Sequence, residues 1–221
     1  KLYDDDFRKI DNTGRISMLF DAIPAQLNQN ASRYKIKSVF PNEYAERIMP
    51  LIAELESSKT ILLAHHVNDP NVGLSANMDL EKFKMFVCDT GLFVTMMFKD
   101  RDFTENVIYE KILNNKLAAN LGYIYENVIA QTLAAKDERL FYYTFANPVS
   151  KHNYEIDFLL SRKNKICPLE IKSSGYKAHK SLDLFFEKYP DRIQKRYLIY
   201  TKDLRKDMDI LCLPMYMAQF L

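Results

Sequence analysis

Between Tyr154 and Ser174 apolar and polar side chains alternate with a period of two, which predicts two strands around a short polar turn. In the first strand Tyr154, Ile156, Phe158 and Leu160 share one face, and Glu155, Asp157 and Leu159 the other. In the second, Cys167, Leu169 and Ile171 oppose Pro168, Glu170 and Lys172. A hairpin closed at Lys163-Asn164 sets Asp157 opposite Glu170, and cross-strand neighbours on one face lie about 5 Å apart. Two carboxylates and an amine are thereby expected on one patch of sheet.

Helical spacing dominates the first part of the chain. Ile16, Leu19, Phe20, Ile23 and Leu27 predict a helix over 14–29 that Pro24 bends or restarts. Tyr44, Ile48, Leu51, Ile52 and Leu55 predict a second over 42–57, interrupted at Pro50. Strands are expected at 61–67 and 83–88, and an apolar helix at 92–98 after Asp89-Thr90-Gly91. Helices followed by a two-stranded hairpin suggest a small winged-helix-like module over residues 1–102. A short linking helix over 102–115 precedes a longer one over 116–136, whose Glu126 has small neighbours, Gly122 and Ala130, one turn away on either side. Strands at 141–145 and in the central hairpin come next, then a helix at 180–188. A strand at 196–200, parallel to the hairpin by a crossover, a strand at 210–213 and a helix opened by Pro214 complete the chain. The expected fold class is α/β (α+β), with the second domain over 103–221.

Composition narrows the function classes. The 48% apolar content suits a folded globular protein, and no run of about 18 apolar residues predicts a membrane span. Cys88, Cys167 and Cys212 have no metal-site spacing and suit a reducing, cytoplasmic setting. His65-His66 sends two imidazoles to opposite faces of a strand, which is wrong for joint metal binding. None of the five glycines belongs to a phosphate-binding G-x-x-x-x-G-K loop, so no ATP site is expected within this sequence. The absence of an initiator Met at Lys1 reads as a fragment of a longer protein. Net charge is only +2, yet residues 162–206 carry 13 Lys or Arg and five acids, so that segment is +8 and the remainder −6. A basic region around a carboxylate cluster suits a phosphate-backbone partner, with Lys177 and Lys180 as candidate phosphate contacts.

The chemistry that such a cluster supports is metal-assisted. Two carboxylates repel, and Mg²⁺ or Mn²⁺ relieves the repulsion while keeping waters and open positions for phosphate oxygen. A lysine beside them would orient a water or offset charge on a phosphorane-like transition state. The competing reading of these residues is an edge hairpin carrying an ordinary salt bridge between Glu170 and Lys172 or Asp157.

The pattern Asp157-x12-Glu170-x-Lys172 resembles the PD-(D/E)xK nuclease superfamily, and the expected element order resembles that fold's αβββαβ core. The resemblance implies a metal site of Asp157, Glu170, the Ile171 carbonyl and a glutamate from the preceding helix, Glu126, with Lys172 catalytic. Ile156 stands where a proline often precedes the active-site Asp. More broadly, several segments resemble the C-terminal part of a family of prokaryotic AAA+-type ATPases. They are Leu19–Leu27, Phe83-Lys84, Asp89–Leu92, Leu121-Gly122 with Glu126-Asn127, Glu155–Phe158 and Leu169–Ser173. That likeness implies an ATPase module in the same full-length chain. The function expected is a Mg²⁺-dependent DNA phosphodiesterase. The alternative is a non-catalytic DNA-binding or assembly domain, self-associating or coupling the ATPase to DNA or a partner protein.

Overall fold

The computed structural model describes residues 2–29, 31–98, 110, 122–173, 175 and 177–221. The helix expected over 102–115 therefore lies outside the described residues, apart from Glu110, as does the first part of the one that follows.

Five helices open the chain: α1 (Leu2–Ile10), α2 (Arg15–Asp21), α3 (Ile23–Asn28), α4 (Ile36–Val39) and α5 (Ala45–Ser57). The apolar series Ile16, Leu19, Phe20, Ile23 and Leu27 is buried throughout. It is carried by two helices, the expected restart, with Pro24 in the first turn of α3, where a missing N–H breaks no helical bond. At Pro50 the expectation fails, because α5 runs through it unbroken. The ring is exposed and close to the helix start, so only one backbone hydrogen bond is forfeited. Tyr44, expected on the apolar face, stands at the helix N-cap and is exposed.

Two mixed sheets follow, so the chain is of the α+β class. The first contains β1 (Ile61–Val67), β2 (Met78–Val87), β3 (Leu140–Phe145) and β4 (Tyr154–Ile156), in the order β2-β1-β3-β4. β1 is antiparallel to β2 and parallel to β3. The hairpin expected as a wing is thus built into the sheet, and strands from both sides of residue 102 share it. The second sheet contains β5 (Phe158–Arg162), β6 (Lys165–Ile171), β7 (Arg196–Tyr200), β8 (Arg205–Asp207) and β9 (Ile210–Pro214), in the order β5-β6-β7-β9-β8. β6 and β7 are parallel, with Leu169 beside Tyr197 and Ile171 beside Ile199.

Among the described residues, three further α-helices complete the layers. α6 (Thr90–Met97) and α7 (Gly122–Ala134) pack together, and α7 lies against β1, β2, β3 and β6. α8 (Lys180–Lys188) buries Leu182 and Phe185 in the crossover between β6 and β7. The last turn, Met215–Phe220, is a 3₁₀ helix rather than the α-helix expected after Pro214. Among the described residues no helix is long and apolar enough to cross a membrane.

His66 gives the first sheet an acid-sensitive point. Its ring is buried against Tyr142 and Tyr143, and Nε2 accepts a hydrogen bond from the Thr144 N–H at 3.3 Å. Burial, with Lys82 nearby, depresses its pKa from 6.5 to about 4. A base whose folded pKa is depressed takes up its proton more readily when unfolded, so stability falls as pH drops from 6.5 towards 4. The loss approaches about 3 kcal/mol at full development. Urea titrations at pH 7 and pH 4.5 are expected to show a smaller acid-induced loss for His66→Gln than for the wild type. Equal losses would remove His66 as a cause.

Candidate metal centre

The hairpin has the register that its alternation predicts: Phe158 pairs with Leu169 and Leu160 with Cys167, while Lys163 takes a left-handed turn conformation at φ 53°. The segment through Asp157, however, is not one strand. β4 pairs with β3 in the first sheet, β5 pairs with β6 in the second, and Asp157 is the residue between them. At this seam its Oδ2 accepts the Ile171 N–H at 2.7 Å, closing the end of β6 with a side chain in place of a strand partner. The next N–H, that of Lys172, donates to the Ile199 carbonyl on β7 at 2.8 Å. Asp157, Glu170 and Lys172 are therefore held together at the end of β6.

Glu170 is 4% exposed, and its Oε1 accepts from Lys172 Nζ at 2.5 Å. Its Oε2 is buried with no hydrogen bond, although the Leu182 N–H in the first turn of α8 is near enough to favour its charge. Burial raises the Glu170 pKa against the opposing pull of Lys172. Asp157 is pushed well above the usual carboxylate range by burial and then by Glu126, with Glu170 and Glu155 adding to it and Lys84 opposing. For Lys172, burial disfavours the charge, but Glu170, Asp157 and Glu126 outweigh it and raise the pKa. Lys172 is thus an ammonium at neutral pH.

Glu126 projects from α7 into a cleft of about 680 Å³ that Glu155, Asp157 and Lys84 also line. Lys84, on β2, is buried, with Nζ 3.3 Å from Glu126 Oε2, in contact with Glu155 Oε1 and 5.5 Å from the centre of the Tyr142 ring. Burial works against its charge, but Glu126, Glu155 and Asp157 more than offset that and raise its pKa. Neither Lys84 nor Glu155 was an expected site residue. Both left a trace in the sequence: Glu155 shares Asp157's face in the alternation, and Lys84 interrupts the apolar run Phe83–Val87.

The expected cations lie elsewhere. Lys177 and Lys180 are exposed, and Lys180 Nζ sits 5.6 Å from the centre of the Tyr154 ring. The cleft itself is lined by the exposed Lys35 and Lys151 as well as Lys84.

A hard divalent ion suits part of this set. Two carboxylates at one strand end, one with an unpartnered buried oxygen, and the backbone carbonyl of Ile171 form an all-oxygen donor set. The wider set does not close around one ion. Among the described residues no three His, Cys, Asp or Glu side chains gather in a group that could hold a metal, and Glu126 is engaged by Lys84.

Residues 121–217 match the model of a domain of unknown function (DUF4143), which is commonly found at the C-terminus of AAA-type ATPases. Residues 1–102 match that of another domain of unknown function (DUF8612). Lys84 lies in the second match, and the acids that it contacts lie in the first. No curated protein and no solved structure matches the chain.

Proposed function

We propose that the chain carries a divalent-metal-dependent DNA phosphodiesterase on a restriction-endonuclease-like, PD-(D/E)xK core. The observation that supports this reading most is the meeting of Asp157, Glu170 and Lys172 at the end of β6, with Glu170 Oε2 buried and unpartnered. Asp157, Glu170 and the Ile171 carbonyl would hold Mg²⁺ or Mn²⁺. Once bound, the ion would lower the pKa of a water and neutralise charge on a phosphate oxygen. Lys172, being protonated, would donate a hydrogen bond to the attacking water or to a phosphate oxygen; it would not remove a proton. To do so its ammonium must share its contact with Glu170, which an ion on Glu170 would favour. Lys35 and Lys151 at the cleft, with Lys177 and Lys180 further out, would bind backbone phosphates. An ATPase module in the same full-length protein would deliver or move the DNA.

Plasmid nicking with Mg²⁺ or Mn²⁺ tests this. Wild type is expected to nick, and Lys172→Ala to be slower by roughly 10²- to 10⁴-fold, as for loss of a positioned proton donor. Wild-type nicking no faster than that of Lys172→Ala would remove the reading.

A second reading has its own support. Each amine is already paired with acid, Lys172 with Glu170 and Lys84 with Glu126 and Glu155, as in a purely structural ion network. On that reading the domain binds DNA or assembles without cutting. Salt-sensitive DNA binding, or self-association, that survives Asp157→Ala without any nicking by the wild type would favour it.

A further inference from the structure

We propose that Lys84 is a resident cation that takes the place of a second metal ion, so that the centre holds one ion and not two. The inference rests on the metal-centre reading above and assigns Glu126 and Glu155 as the ligands of the ion that Lys84 excludes.

The geometry carries it. Lys84 Nζ reaches carboxylates from two different elements, Glu126 on α7 and Glu155 on β4, at hydrogen-bonding distance. Its own side chain is 6% exposed, while those of Glu126 and Glu155 are 20% and 25% exposed and line the cleft. The two acids are therefore more open to the cleft than the amine that they hold. A bridging position between two carboxylates at the edge of a wet cleft is where a hard cation would sit. Glu126 and Glu155 touch the amine directly, whereas Asp157 accepts the Ile171 N–H and Glu170 pairs with Lys172 at the β6 end, where the buried Glu170 Oε2 is unpartnered. Because Lys84 belongs to β2, the hairpin preceding residue 102 would set the metal count of a centre otherwise built from later residues.

Counting bound Mn²⁺ from the loss of its free electron-paramagnetic-resonance signal tests the assignment without reference to activity. Wild type and Lys84→Arg are expected to bind one ion, and Lys84→Ala two, with Mn²⁺ raising the melting temperature of Lys84→Ala more than that of the wild type. One ion on both wild type and Lys84→Ala would overturn the inference and leave the metal centre standing. No ion on wild type but one on Lys84→Ala would uphold the role of Lys84 and overturn the wild-type metal reading. No ion on any variant would overturn both. Glu155→Gln, which keeps Lys84 and a hydrogen-bonding partner for it, covers the case in which Lys84→Ala does not fold. It is expected to bind one ion with wild-type affinity, and a tenfold or greater loss would make Glu155 a ligand of the wild-type ion and overturn the assignment.

Discussion

Asp157→Asn is expected to lower Mn²⁺-dependent nicking by about 10³-fold or more while the protein stays folded. A metal ligand that orients the ion at the reacting phosphate is worth several kcal/mol of transition-state stabilisation, and each 1.36 kcal/mol is about tenfold in rate. Asparagine retains a side-chain oxygen to accept the Ile171 N–H, so the end of β6 keeps its closure, but the charge is lost. Stability should move the other way. Burial and Glu126 raise the Asp157 pKa in the folded protein, so the residue costs stability progressively as pH rises from its unfolded value towards that raised one, and in full above it. Neutralising it is therefore expected to leave the metal-free melting temperature unchanged or higher at pH 7. The difference should vanish below the usual carboxylate range, where aspartate is protonated in both states. An Asn variant that nicks like the wild type would remove Asp157 from the centre. A variant that unfolds would make the residue structural.

The second large effect is on the scaffold. Asn127, fully buried on α7, accepts the Val87 N–H at 2.9 Å and donates to the Val87 carbonyl and to Thr90 Oγ1, each at 3.0 Å. Gln131, one turn on, accepts from the Thr90 N–H at 3.1 Å and from its hydroxyl at 2.7 Å. One helix face thus ends β2 and starts α6. Asn127→Ala strips both backbone groups of Val87 of this partner in the interior, and each buried unsatisfied group costs about 1–3 kcal/mol. The expected loss is roughly 3–5 kcal/mol, or a fall in melting temperature on the order of 10 °C for a chain of this size. Lys84 lies three residues before Val87 on the same strand, so loosening this clamp should also weaken the contact with Glu126. Urea unfolding that gave a loss below about 1 kcal/mol would mean that water or a backbone shift replaces Asn127.

Much of this arrangement was legible in the sequence because it depends on local periodicity. The apolar side chains of α2 and α3, the register around Lys163-Asn164 and the strand at Arg196–Tyr200 all follow from spacing that is visible within one element. The seam at Asp157 was not. Alternation runs through Asp157 from Tyr154 to Phe158, and only pairing with β3 on one side and β6 on the other decides that the strand divides there. β8 escaped for the opposite reason: Arg205-Lys206-Asp207 has no apolar alternation, and its pairing with β9 alone makes it a strand.

The same distinction holds for the centre. Asp157, Glu170 and Lys172 share a short stretch whose geometry a hairpin fixes, so their meeting could be reasoned from residue numbers. Lys84 comes from a strand 42 residues before Glu126 and 71 before Glu155, and no local pattern links the three. The charge distribution has the same limit. The basic segment 162–206 contains Lys177 and Lys180, while Lys35 and Lys151, outside it, line the cleft. Linear charge density says little about which cations a fold turns towards one opening.

Diffraction from crystals soaked in Mn²⁺, read at the anomalous signal of the metal, tests the central claim most directly. One peak is expected at the end of β6, about 2.1–2.3 Å from a carboxylate oxygen of Asp157, from Oε2 of Glu170 and from the Ile171 carbonyl, in the range of hard divalent ions on oxygen ligands. A saturating soak that leaves this position without anomalous density, with Lys172 still paired to Glu170, would contradict the account.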